Sequence, residues 1–467
     1  MSEATQGDLT PILMLVPYFA PQTHAAMFRA HKFARYLPEH GFKPIVVAPD
    51  TNYLYNDDPA LLDELPPEVE IHRARYIEPS LRGIRMAIGG KDRTFAAMKA
   101  AGAFSSAPAP SAGAAAKPRR PSIGGLIARA IGDYPDRYWT WSGPAYRLAS
   151  KLAQEKNIRL LYTTANPESH LRAAIRLKQA HGMTWLFDSR DPLGYGQKHM
   201  PDAPIPLLMQ RSILSRSIGI ADHVTGLARS YGQIFFDLYG LDESRYSFIP
   251  TGLDEAYLSQ DTPPREDFLL HIGEVMPNAG RHAYQTLEQI LATAQGKEPF
   301  DRLIFVGRKE VNAPRVEHLL DDMPRVRERV EFLDHMPQAQ VYGLVRRAKA
   351  CLLVPGESRY WWTNFAKMVD YIALGAPVIA HVPAISEARQ ELTEAGTGFF
   401  LNGQVAEDAA ALAGWFETAA GITPTPYCKR YTAQRQVADL AAILRRLSGM
   451  SAPHVAAALK QTAGKAG

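Results

Sequence analysis

Cysteine is scarce in this chain: Cys351 and Cys428 are the only two in 467 residues, far apart and away from any second cysteine or histidine at metal-ligand spacing. A disulfide framework or a zinc site is therefore not expected, and both thiols read as buried and free. Long apolar runs are absent as well. The first, at 12–16, is short and follows an acidic, polar leader, and no run approaches the ~18 residues of a membrane-crossing helix. The expected location is cytoplasmic, without a membrane span. Charge of one sign is in small excess only, 52 Lys and Arg against 48 Asp and Glu, and a net +4 names no partner. Gly and Pro are spread along the chain rather than gathered into repeats.

What the chain does have is length and rhythm. At 467 residues it exceeds what one core usually serves, so two domains are expected. The opening reads as a buried strand at 12–16, a Pro-containing loop, a helix and a second strand at 45–48. In that helix Met27, Ala30, Phe33, Ala34 and Leu37 recur at threes and fours, and Gly41 ends it. The same alternation runs through 160–252 and again through 268–395, which predicts α/β architecture with a parallel sheet in each half. The polar stretch 254–267, with its Pro pair, separates them. The expected domains are 1–254 and 265–426, followed by a helix over 427–447 with Val437, Leu440, Ile443, Leu444 and Leu447 on one face. A low-complexity insertion at 99–121 reads as a mobile surface loop, and the Ala- and Lys-rich tail from Ser448 as frayed.

Five segments carry chemistry. The loop after the first strand, holding Thr23, His24 and Ala25, falls at the carboxyl edge of the sheet, where open α/β sheets bind ligands. In LYTTANPESHLRAAIRLKQAHGMTWLFDSRDPLG, two strand ends bring Asn166, Asp188, Arg190 and Asp191 to one crevice. An arginine between two carboxylates there either serves a ligand or braces two loops. ADHVTGLARSYGQIFFDLYGLDESRYSFIPTGLDEAY places Asp222 and Gly252 at ordinary turns. LLHIGEVMPNAGR opens the second half, with Gly273 and Glu274 after the strand and Arg281 as the nearest base. In TNFAKMVDYIALGAPVIAHVPA, Lys367 and Asp370 stand three apart on one helix face, beside a helix start that favours phosphate.

In this order and at this spacing, the segments resemble the retaining glycosyltransferases of family 4, particularly a bacterial subgroup that builds cell-surface polysaccharides. The resemblance runs from Ile12 to about Leu447. It implies the GT-B fold, two facing Rossmann-like domains with the C-terminal helix returning toward the N-terminal one. It also implies transfer of a hexose with retention, from a nucleotide-sugar to an acceptor hydroxyl, in surface polysaccharide or glycolipid synthesis. Donor binding is then assigned to Gly273, Arg281, Arg308, Lys367 and Asp370: Arg281 and Lys367 meet the diphosphate, Asp370 the ribose hydroxyls. Glu357 stands in for a carboxylate that many relatives carry where this chain has Trp362, and Tyr360, Trp361 and Trp362 stack on the donor or close the crevice. Catalysis falls to Arg190, Asp191 and Asp188, the acceptor side to His24 and Asn166. The nucleotide-sugar is a substrate, so neither a cofactor nor a metal is expected, and no nucleic acid partner. The departures at Arg190, Thr251, Glu274 and Trp362 keep two other readings open, a non-catalytic protein that binds nucleotide-sugars and a nucleotide-sugar epimerase.

The window 79–132 holds nine basic residues against one acid, a local +8 that leaves −4 for the rest of the chain. Leu81, Ile84, Met86, Ile88, Phe95 and Met98 are interleaved among the bases. Either this is a solvated loop, or it rests on an anionic inner membrane face that presents a lipid-linked or glycan acceptor.

Overall fold

The computed structural model describes residues 9–24, 26–51, 57–79, 88, 135–192, 204–255, 263–276, 279–294, 296, 298–355 and 360–449. The insertion 99–121, nearly all of the basic window 79–132, Ala25, Glu357 and the tail beyond Gly449 lie outside them. The chain forms two units: one takes the residues up to Gly226, then 232–248 and the chain from Val437 on, the other 227–231 and 249–436.

Seven strands build the first unit: β1 Thr10–Leu15, β2 Phe42–Pro49, β3 Glu70–Ala74, β4 Leu160–Ala165, β5 Thr184–Ser189, β6 His223–Gly226 and β7 Tyr246–Phe248. They are ordered β3-β2-β1-β4-β5-β6-β7, and every pairing is parallel. Six build the second: β8 Glu266–Ile272, β9 Arg302–Val306, β10 Val330–Leu333, β11 Ala348–Leu353, β12 Val378–Ala380 and β13 Gly398–Phe400, ordered β10-β9-β8-β11-β12-β13 and again all parallel. In both, the order reverses beside the first strand, between β1 and β4 and between β8 and β11. At such a switch point the loops leaving the carboxyl ends part and open a crevice.

The strands of the second sheet show why a parallel sheet requires unbroken apolar runs. Leu269, Leu303, Phe305, Ala350 and Leu352 point into one helical layer, with Leu287, Val316 and Leu412. Their neighbours Phe268, Leu270, Ile304, Val306, Cys351 and Leu353 point into the other, with Met368, Ile372 and Leu392. The side-chain period of two therefore buries these central positions on alternate faces. Cys351 and Cys428 are buried and free, and burial raises both thiols' pKa values, that of Cys428 to about 11.

Turn chemistry fits the local sequence. Gly182 closes the helix Leu171–His181 in the left-handed conformation, φ 60°. The Asp222 carboxylate accepts the Trp185 N–H at 2.7 Å and the Lys178 ammonium at 2.5 Å, tying a helix end to β5. A Cβ on Gly252 would fall 2.7 Å from the Thr432 carbonyl carbon, so the backbones meet there only because the residue is glycine.

Among the elements that go beyond the sequence reading are β3, β13 and the helices Trp139–Glu155 and Val405–Thr418. β3 is an edge strand, EIHRA, with only Ala74 buried, so it lacks the apolar run that marked the others. The helix Trp139–Glu155 carries Pro144 inside it, a residue that argues against a helix in the sequence. The last helix begins at Ala433 rather than at Tyr427, because Pro426–Tyr431 forms a separate 3-10 turn. Thr425 caps that turn, its hydroxyl accepting the Tyr427 N–H at 3.3 Å. No helix among the described residues is long and apolar enough to cross a membrane.

Candidate functional site

At the carboxyl edge of the first sheet, the loops after β1, β4 and β5 bring together Tyr18, His24, Asn166, Arg190 and Asp191, all partly exposed. The Arg190 Nε donates to Thr164 Oγ1 at 3.1 Å and its Nη2 to the Asn166 carbonyl, while its guanidinium carbon lies 5.8 Å from the centre of the Tyr18 ring. Asn166 Nδ2 donates to Asp191 Oδ2 at 3.0 Å, and the Ser189 hydroxyl donates to the Asp191 carbonyl at 2.7 Å. His24 lies against Tyr18, ring centres 4.3 Å apart, and accepts the Ala26 N–H on Nδ1 at 3.2 Å. Burial, and then the Arg190 charge, lower its pKa to about 4, so His24 is a neutral imidazole at physiological pH. Four of the sequence-assigned residues, His24, Asn166, Arg190 and Asp191, thus share one site.

Asp188 does not belong to it. The side chain is 0% exposed. Both oxygens are taken by Arg29 in a fork at 2.8 Å each, and they also accept the Tyr162 hydroxyl at 2.9 Å and the Thr225 hydroxyl at 2.6 Å. Burial would raise its pKa, but the Arg29 charge and these hydrogen bonds outweigh that and hold the carboxyl ionised. The end of β5 at Ser189 explains the difference from the sequence assignment: Asp188 is still within the strand and buried, whereas Arg190 has left it.

Sequence reasoning missed Asp136 and Glu168. The Asp136 carboxylate accepts N–H bonds from Tyr138, Glu168 and Ser169 at 2.7–2.9 Å and the Ser169 hydroxyl at 2.6 Å, joining the starts of two helices. Beside it, burial and then the Asp136 charge push the Glu168 carboxyl up to about 8. The only signal was the cluster NPESH directly after β4.

In the second unit, the carboxyl ends of β8 and β9 meet the start of the helix Ala366–Ala373. Gly273, φ 77°, turns the chain out of β8, and Gly307, φ 148°, does the same after β9. A Cβ on Gly307 would stand 3.1 Å from the Gly273 carbonyl oxygen. Buried Asn312 clamps the turn, donating to the Gly273 carbonyl at 3.1 Å and accepting the Val275 N–H at 2.9 Å. Lys367, in the first turn of the helix, lies with Nζ 2.7 Å from His271 Nε2 and donates to the Glu274 carbonyl at 3.2 Å. The Glu274 carboxylate is occupied by Arg308, and Arg315 lies 3.6 Å away. Gly273, Arg308, Lys367 and, one turn on, partly buried Asp370 therefore gather at the switch point, joined by His271, Asn312 and Arg315, which carried no recognisable motif.

Arg281 is not brought to this cluster. Its guanidinium donates to the Leu319 carbonyl at 3.0 Å and pairs with Asp322, at the end of the helix Lys309–Leu319 and just beyond it. Glu357 lies outside the described residues. Trp362 is packed rather than presented: it is 9% exposed, its carbonyl accepts the Ser230 hydroxyl at 3.0 Å, and its ring centre is 6.1 Å from that of Tyr231.

Two parallel α/β units with these strand orders define a protein of the GT-B fold class. Among solved structures, the chain is similar to a glycosyltransferase from Rickettsia africae, with TM-score 0.57 and 12% identity over 95% of this chain and 100% of that one. It is similar also to HepE from Anabaena in complex with UDP, with TM-score 0.56 and 13% identity over 94% and 100%. A protein designated a UDP-N-acetylglucosamine 2-epimerase, from Listeria monocytogenes, follows at TM-score 0.50 and 10% identity over 95% and 98%. At such identities the likeness is one of fold. No protein-family profile and no curated protein matches the sequence.

Proposed function

We propose that this chain is a glycosyltransferase that binds a nucleotide-sugar by its diphosphate at the β8–β11 switch point and passes the sugar, with retention, to an acceptor hydroxyl. The observation that carries the reading is Lys367: a cation in the first turn of a helix, at the carboxyl edge of a doubly wound sheet, whose ammonium is bonded to an imidazole and a carbonyl rather than to a carboxylate. The helix dipole and Lys367 together favour a diphosphate both when bound and as the leaving group. Asp370, one turn later, we assign to the ribose hydroxyls. Crystal complexes of HepE with UDP and with UDP-glucose support the choice of donor class. A thermal-shift screen of UDP, GDP, ADP and their sugar conjugates tests it: a ligand at 100 times its Kd raises stability by ~2.7 kcal/mol, and no shift with any of them contradicts the reading. Nucleotide release that depends on an added acceptor separates transfer from epimerisation.

Arg190 is the group we assign to the attacked carbon and its acceptor, with Asp191, Asn166 and neutral His24 around it. Arg190→Ala is expected to lower kcat by about 10-fold or more while changing donor affinity less than threefold, since it is assigned to the acceptor half and the diphosphate to the second unit. Steady-state kinetics with a donor titration checks this; normal turnover with a lowered melting temperature reduces Arg190 to a brace between the β4 and β5 loops.

The basic window 79–132 we assign to an anionic membrane surface, on its charge and its interleaved apolar residues alone. Co-sedimentation with phosphatidylglycerol vesicles is expected at low salt, falling with added salt and with charge reversal at Arg82, Arg85, Lys91 and Arg93. Absence of binding at low salt points to a soluble acceptor.

A further inference from the structure

The contact between Lys367 and His271 sets two bases against each other. At 2.7 Å, the Lys367 Nζ and His271 Nε2 share a hydrogen bond that exists only while one of them is unprotonated. The imidazole is 3% exposed and lies beside Phe305, ring centres 5.5 Å apart, so a charged ring there would be desolvated, whereas the ammonium has the Glu274 carbonyl as a further acceptor at 3.2 Å. The pair therefore holds at most one positive charge, and that charge belongs to Lys367. No carboxylate among the described residues pairs with it. The Glu274 carboxylate faces Arg308 and Arg315 of the neighbouring loop and helix, and only its carbonyl turns to Nζ. The Tyr371 hydroxyl is spent on the Ile272 N–H at 3.2 Å, and Asp370 has partners of its own.

We propose that Lys367 and His271 form a proton-linked anion receptor, in which a phosphate group arriving at Lys367 draws one proton from solvent onto the amine. The inference rests on the reading of Lys367 as the diphosphate ligand and adds to it the protonation that accompanies binding. His271 acts through Lys367 and is a positioning residue: it accepts from the ammonium and keeps it at the mouth of the β8 turn, within reach of the Glu274 carbonyl.

The direction follows from the free state. Burial pushes Lys367 down to about 7, and burial together with the Lys367 charge holds His271 well below its ordinary value. Above neutral pH the unliganded amine is thus largely neutral, while a bound phosphate dianion restores the ammonium. At pH 8 binding takes up between about one half and one proton, and at pH 6, where the amine is already charged, close to none. Over the same interval affinity weakens as pH rises, by at most ~10-fold per unit.

Calorimetric titration of the full chain with UDP, and with GDP and ADP as alternatives, in Hepes, Tricine and Tris at one pH counts the protons, because the buffers differ in ionisation enthalpy. Lys367→Arg keeps the charge but cannot lose it, and subtracting its proton count cancels any ionisation of the nucleotide itself. The expected difference at pH 8 is about half a proton or more, shrinking toward zero at pH 6. His271→Leu, which removes the acceptor and keeps the burial, is expected to move the onset of uptake to lower pH. Where Lys367→Arg fails to bind, wild type alone decides, since the nucleotide's phosphates are already ionised at pH 8 and contribute no uptake. Nucleotide binding with no proton uptake in wild type at pH 8 overturns the inference and leaves the proposed function standing. Binding of none of the three nucleotides overturns both.

Discussion

Arg29→Met is expected to lower the stability of the first unit by about 3–5 kcal/mol, the cost typical of removing one partner from a buried ion pair. The methionine fills the aliphatic part of the arginine's space but leaves Asp188, 0% exposed, with only the Tyr162 and Thr225 hydroxyls. It also removes a guanidinium seated 4.8 Å from the centre of the Phe33 ring, itself packed edge-on against Tyr162. At ~2–4 °C per kcal/mol for units of this size, the first unfolding transition falls by on the order of 10 °C. The sign with pH is fixed by Asp188, whose pKa is held below its ordinary value. The pair's contribution is full above the unfolded carboxyl's ~3.9 and is lost as pH falls through the folded value, so the gap between wild type and variant closes in acid. Arg29→Met combined with Asp188→Leu is expected to recover most of the loss, because it removes both charges together. Calorimetric unfolding of the three proteins checks this, and an unchanged transition in Arg29→Met returns Asp188 to the groups free to act on a substrate.

Much of the fold was legible because a doubly wound sheet imposes a simple pattern. Strands buried on both faces need continuous apolar runs, and LIFV at 303–306 and ACLLV at 350–354 supplied them. β3 escaped because an edge strand need bury only one end, and in EIHRA three polar residues leave only Ile71 and Ala74 apolar. β13, GFF, has three residues, too few for any period to show. The Pro426 turn was folded into the last helix because Tyr427, Cys428 and Tyr431 continue its apolar spacing, although the Thr-Pro pair at 425–426 is itself a start signal for a separate short helix.

The site was legible only in part, for a different reason. Sequence spacing places a residue on an element, whereas function depends on where its side chain points. Asp188 and Arg190 are two apart, yet the first ends inside a buried network and the second at the surface, since the chain leaves the strand between them. Arg281 has the right distance from Gly273 along the chain, but its guanidinium is committed to Asp322 and the Leu319 carbonyl. His271 had no signal at all: within FLLHI it reads as one polar interruption of a strand, and only its 2.7 Å approach to Lys367 gives it a role.

The account stands most directly on Lys367. Replacing it by alanine removes a charge-assisted contact worth about 1.5–3 kcal/mol, or ~10–100-fold in nucleotide affinity. The fold should be unaffected, because a half-buried cation without a carboxylate partner contributes little to stability and its removal spares its desolvation. Asp370→Ala should act in the same direction and more weakly with a free diphosphate than with the nucleotide, since it is assigned to ribose. The deciding measurement is a calorimetric titration of UDP, GDP and ADP into wild type and Lys367→Ala at pH 7, with the melting temperature of both proteins recorded alongside. The account predicts saturable one-to-one binding of one nucleotide to wild type and at least ~10-fold weaker binding to a variant that melts at the same temperature. Equal affinity in the two proteins contradicts it.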